Sequence, residues 1–432
     1  MKKVYIETLG CQMNKSDAER IFAILAHFGY VATDEACEAD FLIINTCSIR
    51  ALSEEKAFSR LGVWGKWKKN KRLKVALCGC LAQHTEEDLL TRFPYLDLVF
   101  GTQNIYELPD LLKRINAGER VCAVRENIVA EGDFGFNRSK GVNAWLPIIE
   151  GCDNFCTYCI VPYTRGRERS RPFDKIVTEA RDIVVQGFRE ITLLGQNVDS
   201  YGKDLSGKPT LADLIRKINK IEGDFRIRFT TSYPTDITDD LIDAVANSDK
   251  VCNYFHIPMQ SGNSEILKAM NRRYNRKKYG EIVAKIRARI PDVVITSDFI
   301  VGFPGEDEAQ FLDTVSALEE FGISYSNIAA YSPRPKTPAA KWVEKFVDEN
   351  EKARRFQILN DKVKEISLRN HKACVGKTME VLVDGENINK GGKFIGRTGC
   401  NKIVHISNGT DIKIGDFIDL KIASASTWHL KS

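Results

Sequence analysis

Cys152, Cys156 and Cys159 lie within eight residues, in the run GCDNFCTYC. The spacing C-x3-C-x2-C supplies three thiolates, and no fourth Cys or His stands nearby in sequence. A structural zinc site normally closes with four ligands. Three thiolates instead suit a [4Fe–4S] cluster with one iron left open; the alternative is a set of incidental buried or zinc-binding cysteines. An open iron binds a chelating cofactor, and the radical use of S-adenosylmethionine is one recognised chemistry of such centres.

A second set is dispersed. Cys11, Cys47 and Cys80 are far apart, yet each follows the end of an apolar run: VYIETLGC, FLIINTC and VALCGC. In an open parallel sheet ligands bind outside the carboxyl ends of the strands, so loops carrying these cysteines are expected to converge. Cys78, two residues from Cys80, is a rival ligand, and small buried thiols are the plain alternative for all of them. The chain has 12 cysteines in 432 residues, well short of the ~8–10% of a disulfide scaffold, and a cytoplasmic protein keeps its thiols reduced.

The elements that must position these groups follow from periodicity. Apolar runs alternate with helix-period segments over residues 1–131, with helices near Ser16 to Phe28, Ser53 to Trp67 and after Cys80. That is a doubly wound α/β domain with a parallel sheet. Residues 132–143 (GDFGFNRSKGVN) have linker composition. Over 144–371 six strand candidates appear, WLPIIE, ITLLGQ, IRFTTS, YFHIPM, VVITSDFIV and SNIAAYS, with helical patterns between them. Six units are too few for an eight-stranded barrel but make a partial (β/α)6 barrel, its site at the strand C-termini; a second doubly wound sheet is the alternative. A charged helix spans about Asp348 to Asn370. Residues 372–432 then read as five short strands with turns at Asp384–Gly385 and Asn408–Gly409, a small antiparallel β-barrel or sandwich.

Gln196, Asn197, Ser232, Gln260 and Asp298 stand where a partial barrel places cofactor contacts, although each also suits a cap or turn. His256, inside a strand, reads as structural. Lys+Arg 63 against Asp+Glu 58 leaves a net charge of +5, which permits a nucleic-acid partner without requiring one. Lys66 to Lys74 holds six basic residues and Arg272 to Lys278 five; a solvated helix face is the usual explanation of such runs. Arg165, Arg167, Arg169 and Arg171, just after the cysteine cluster, are placed to line an active-site mouth or to pair with Glu168 and its neighbours. No apolar run approaches the ~18 residues of a spanning helix, so no membrane partner is expected.

GCDNFCTYC behind a strand, with SDFIVGFPGE later, resembles the radical-SAM superfamily. LGCQMNKSD, NTCSIR, GCLAQ, VPYTRGRERSR, LLGQNV, TTSYP, HIPMQSGN, YSPRPKTPAA and GRTGCNKIVHI resemble its methylthiotransferase family over essentially the whole chain, the last segment resembling the RNA-binding TRAM domain. Within that family GCQMN is similar to the branch acting on isopentenylated adenosine. The resemblance implies two [4Fe–4S] clusters, on Cys11, Cys47 and Cys80 and on Cys152, Cys156 and Cys159, and two uses of S-adenosylmethionine. One methylates sulfur associated with the N-terminal cluster; the other yields a radical that takes hydrogen from C2 of the adenosine beside the tRNA anticodon. It further implies Tyr158 at the adenine and Arg165, Arg167 and Arg171 toward substrate. The expected partners are the anticodon stem-loop and an electron donor such as flavodoxin or ferredoxin, with the chain a cytoplasmic monomer. Leu81 and Tyr233 depart from the family's frequent Met and His. Rival readings are the same chemistry on another modified adenosine or a ribosomal-protein aspartate, and a non-catalytic iron–sulfur protein that binds RNA or carries electrons.

Overall fold

Phe41, Leu42, Ile43 and Ile44 are all buried, as a strand covered on both faces requires. In the computed structural model, which describes residues 1–47, 51–85, 88–124, 134–386, 394–407 and 411–432, this segment is the third of six parallel strands. They are β1 (Lys2–Leu9), β2 (Tyr30–Ala32), β3 (Phe41–Thr46), β4 (Lys74–Gly79), β5 (Leu98–Phe100) and β6 (Val121–Ala123), in sheet order β2-β1-β3-β4-β5-β6. On one face Ile21, Ile24 and Leu25 of α1 (Gln12–His27) pack on Phe41, Ile43 and Ala76; on the other, Leu61 and Trp64 of α2 (Ala51–Asn70) pack on Leu42, Ile44 and Leu77. The edge strands β2 and β6, three residues each, add to the four strands expected from VYIETL, FLIINT, VALCG and LVFGT. Of the helix expected after Cys80, the described residues show α3 (Cys80–Thr85) and helical residues Asp88–Arg92.

Two compact units divide the chain. The first is Met1–Ser139 with Glu150–Asp153 and Ile160–Glu168; the second is Lys140–Ile149, Asn154–Cys159 and Arg169–Ser432. In the second, β7 (Asn143–Pro147), β8 (Glu190–Leu194) and β9 (Arg226–Phe229) form one parallel sheet, and β10 (Tyr254–His256), β11 (Val294–Val301) and β12 (Tyr325–Ala330) another. A parallel bridge between Ile227 and Val251 links them, so the six strands continue as a partial barrel. Side chains alternate as the pleat dictates: Ile191, Leu193, Ile227 and Phe229 enter the hydrophobic core, while Glu190, Thr192, Arg226 and Arg228 take the other face.

A 24-residue helix, α4 (Glu349–Lys372), follows, started by the Asp348 carboxylate accepting from the amides of Asn350 and Glu351. The terminal strands β13 (Thr378–Glu386), β14 (Phe394–Thr398), β15 (Ile403–Ile406), β16 (Phe417–Lys421), β17 (Ser424–Ala425) and β18 (Leu430–Lys431) make a curled sheet in the order β16-β13-β14-β15-β18-β17. It departs from the all-antiparallel expectation at one pair: the β17–β18 hairpin returns β18 parallel to β15. The Asn408–Gly409 turn, and residues 132–133 of the expected linker, lie outside the described residues.

Within the second unit, charged side chains on and beside the barrel strands hold this sheet by its backbone. Arg226 donates from Nη1 to the carbonyl of Arg397 at 2.9 Å, Arg228 from Nη1 to that of Gly399 at 3.1 Å, and Arg189 from Nε to that of Gly415 at 2.9 Å. Between them Glu190 accepts from both Arg226 and Arg228, all three being buried. Burial alone would push the Glu190 carboxyl up; the charges and hydrogen bonds of Arg228 and Arg226 overcome that and hold it at about 2. No described helix is long and apolar enough to cross a membrane.

Breaking a buried ion pair from one side costs about 3–5 kcal/mol, so Glu190→Ala is expected to lower unfolding stability by that amount in urea titrations. Because the folded carboxyl lies below its ordinary value of 4.5, its contribution is full above pH 4.5 and fades as pH falls toward 2. Glu190→Gln is expected to lose that acid-side slope.

Candidate functional site

Leu9, Thr46 and Gly79 sit in one register row across the neighbouring strands β1, β3 and β4. Cys11, Cys47 and Cys80 follow that row by two, one and one residues, so three separate segments deliver sulfur to the same edge. The sheet order reverses at β1/β3, which makes this edge the crevice of the fold. Gly79 turns the chain here at φ +94°; a Cβ would stand 2.4 Å from the Thr46 carbonyl oxygen.

The three thiols meet. Cys47 is hydrogen-bonded to both Cys11 and Cys80, while Cys78 is fully buried among Ala76, Leu98 and Phe100, its thiol pushed well up by burial. The bond with Cys47, and next the charge of Arg165 against the opposing effect of burial, bring Cys11 down to about 6 and Cys80 to about 7. Cys47 itself is pushed up by those two bonds and by burial. Cys11 also begins α1: its amide and its Sγ reach the Asn14 Oδ1 at 3.2 and 3.3 Å, while Asn14 Nδ2 donates to Asn45 Oδ1 and Asn45 Nδ2 donates back to the Asn14 main-chain carbonyl. The helix therefore starts at Gln12 rather than near Ser16.

Arg165 is buried beside this trio and clasps Asp17 with both nitrogens, at 2.6 and 3.3 Å. It is thus committed inside the first unit rather than presented at a mouth. Arg171 is half-buried, donating to the Pro147 carbonyl and paired with Glu179 at 2.8 Å. Arg167 is exposed and chelates Asp153. Sequence periodicity missed Asn14, Asp17 and Asn45; their adjacency to LGC and NTC was the available signal.

Of the clustered cysteines, Cys152 falls to the first unit and Cys156 and Cys159 to the second. Cys152 donates its amide to the Gly166 carbonyl. The segment carrying the other two is clamped: Thr157 bonds to the carbonyls of Met270 and Ala269, and the Asn271 carboxamide donates to those of Asn154 and Phe155. Arg272, the next residue, donates from Nη1 to the Cys156 Sγ at 3.4 Å.

The polar candidates lie beyond or within the barrel strands. Gln196 and Asn197 follow β8, Ser232 follows β9 and Gln260 follows β10, whereas Asp298 is in the middle of β11, bonded to His256 Nε2 at 3.2 Å and Asn327 Nδ2 at 2.8 Å. Tyr158 packs on Met270, Phe303 and Tyr331. Four non-glycine residues with positive φ, Phe155, Thr231, Gln260 and Asn271, stand in these same segments; such backbone gathers at functional sites.

Asn197 Nδ2 donates to Asp236 at 2.7 Å, but its Oδ1 is buried with no partner, an acceptor aimed at something the protein does not supply. Ser232 donates to Asp199, which also accepts from the Tyr233 amide. Burial, and then the nearby Asp236, push the Asp199 carboxyl up to about 8.

The hydrogen-bonded trio Cys11, Cys47 and Cys80 is a donor set of the kind a [4Fe–4S] cluster takes. Among the described residues no three His, Cys, Asp or Glu gather around one point as a single metal ion requires; a cubane takes its thiolates on separate irons and spreads them wider. The orphaned Asn197 oxygen fits a polar cofactor.

Residues 3–101 match an uncharacterized protein family, UPF0004, residues 146–318 the Radical SAM superfamily and residues 372–432 the TRAM domain. A tRNA-2-methylthio-N(6)-dimethylallyladenosine synthase of Carboxydothermus hydrogenoformans is 46% identical, covering 100% of this chain and 98% of its own. The chain belongs to the family of these synthases. One from Acetivibrio thermocellus is 44% identical, over 100% of this chain and 90% of its own. This synthase family is a radical SAM family, which implies a [4Fe–4S] cluster and S-adenosylmethionine. In fold alone the chain is similar to the radical S-adenosylmethionine methyltransferase TsrM of Kitasatospora setae, with TM-score 0.61 and 13% identity over 79% of this chain and 77% of that one. The cobalamin-dependent radical enzyme OxsB gives TM-score 0.56 and 13% identity over 82% and 56%.

A carboxyl held protonated in the fold binds a proton that the unfolded chain releases above its ordinary value of 3.8. Stability is therefore expected to fall as pH rises from about 4 to about 8. Asp199→Asn is expected to flatten that slope, measured by thermal melts across the range.

Proposed function

We propose that this chain methylthiolates C2 of isopentenyladenosine at position 37 of tRNA, giving the 2-methylthio derivative. The observation that carries this reading is the hydrogen-bonded trio Cys11, Cys47 and Cys80 in a fold that also contains the C-x3-C-x2-C segment, in a member of the synthase family. Two sets of three thiols match a reaction with two jobs, generating an oxidising radical and presenting sulfur.

Cys152, Cys156 and Cys159 hold one [4Fe–4S] cluster, and Cys11, Cys47 and Cys80 a second. With S-adenosylmethionine bound, the first supplies radical chemistry toward an unactivated C–H bond. The protein's own residues bind and orient. Tyr158 takes the adenine, while Gln196, Asn197, Ser232, Gln260 and Asp298 take the polar groups of the cofactor, with protonated Asp199 fixing the Ser232 segment. Arg165, paired with Asp17, places a fixed positive charge beside the N-terminal thiols, which favours thiolate there. Arg167, exposed, serves the tRNA backbone, joined by the terminal β-sheet; small β-folds of this kind bind loop RNA through basic and aromatic groups. The chain works as a cytoplasmic monomer with a flavodoxin or ferredoxin as its one-electron donor.

Anaerobically reconstituted protein is expected to form the 2-methylthio product on isopentenylated tRNA and not on unmodified tRNA or ribosomal protein; no product on the first substrate overturns the reading. Cys152→Ala, Cys156→Ala and Cys159→Ala are each expected to abolish 5′-deoxyadenosine formation. Cys11→Ala, Cys47→Ala and Cys80→Ala are expected to retain it while losing sulfur transfer. Cys78→Ala is expected to retain both, and its loss of transfer alongside an active Cys80→Ala would exchange the two ligands.

A further inference from the structure

The buried arginines of the described residues come with carboxylates: Arg20 with Glu150, Arg165 with Asp17, Arg226 and Arg228 with Glu190, and Arg355 with Glu306 and Glu351. This follows from the cost of leaving a cation in a low-dielectric interior without a counter-charge. Arg272 differs. Its guanidinium lies between two aromatic rings, 4.4 Å from the Tyr233 centroid and 4.9 Å from that of Tyr274. Its nitrogens donate to the Tyr274 hydroxyl at 2.7 Å, the Pro258 carbonyl at 2.8 Å and the Cys156 Sγ at 3.4 Å. None of these ring or hydrogen-bond partners is a carboxylate.

The surroundings fix the guanidinium rather than leave it to search. The Tyr274 hydroxyl is anchored to the carbonyls of Pro258 and Met259. The Tyr233 hydroxyl accepts from the Arg273 amide at 3.1 Å, and the two rings meet edge to face at 5.7 Å. Tyr233 is one wall of this box.

We propose that Arg272 is a positioning residue that tunes the cluster held by Cys152, Cys156 and Cys159, through an N–H···S bond and a fixed positive charge on Cys156. The inference rests on that cluster reading. Hydrogen bonds to cluster sulfurs and local net charge set an iron–sulfur centre's reduction potential. One-electron reduction adds a negative charge to the centre, so an adjacent cation stabilises the reduced state and raises the potential. With no carboxylate among its ring and hydrogen-bond partners, Arg272 keeps more of its charge for the sulfur than Arg165, whose field at the other trio Asp17 offsets in part.

The test is a redox titration followed by electron paramagnetic resonance on the reconstituted full-length chain carrying Cys11→Ser, Cys47→Ser and Cys80→Ser, so that one centre is read. If this parent holds no [4Fe–4S] cluster, or if adding Cys156→Ala leaves the cluster in place, the cluster reading itself has failed. Given a loaded parent, Arg272→Met is expected to shift the potential negative by about tenfold in the reduction equilibrium, ~59 mV for one electron. Arg272→Lys, which keeps the charge and loses the planar fork, is expected to fall between the two. Equal potentials in loaded Arg272→Met and parent overturn the proposal. If Arg272→Met does not hold iron, Arg272→Lys and Arg272→Gln decide: a more negative potential for Gln than Lys supports tuning. Equal potentials, or loss of iron in both, make Arg272 purely structural and overturn it.

Discussion

Parallel strand pairing is the constraint on which the rest depends. Hydrogen bonds between β1, β3 and β4 fix Leu9, Thr46 and Gly79 in one row, and only with that row fixed do three cysteines as distant as Cys11 and Cys80 end beside one another. A one-residue slip of any strand would turn a thiol to the wrong side of the pleat. The doubly covered sheet resists such a slip because Leu42, Ile43, Ile44, Ala76 and Leu77 are wholly buried. The hydrophobic core thus sets the positions of the sulfurs as surely as any bond to them.

Charge inside the protein follows a second rule, that each buried cation is given an anion. The rule explains why α1, although it covers the sheet, buries Asn14, Asp17, Glu19 and Arg20. Those residues serve the thiol edge and its neighbours rather than the core. It also explains the Glu190 seam, where one carboxylate serves two guanidiniums whose remaining N–H groups are turned to backbone carbonyls.

Much of this was legible in the chain. Alternation of apolar runs with helical periods gave the parallel sheet of the first unit and the six strands of the second, and cysteines placed just past strand ends marked the crevice. What the pattern did not carry is long-range pairing between polar residues. Asp17 meets Arg165 across 148 positions and Cys156 meets Arg272 across 116, and no local period encodes either. The same limit hid the start of α1: a helix that buries polar residues in its first turns looks like a loop to a hydrophobicity argument.

The terminal sheet is gripped by main-chain oxygens of Arg397, Gly399 and Gly415, an atom that every amino acid possesses. Two of the same guanidiniums, Arg189 and Arg226, also lie over the Phe417 ring, and Trp428 meets Tyr325 edge to face. Substitutions that spare these two rings leave the handle intact, so the outer surface is free to drift toward new partners while the mount stays put. A module that traces the same backbone and keeps the rings would seat on the same three guanidiniums, which makes this junction a natural point of exchange.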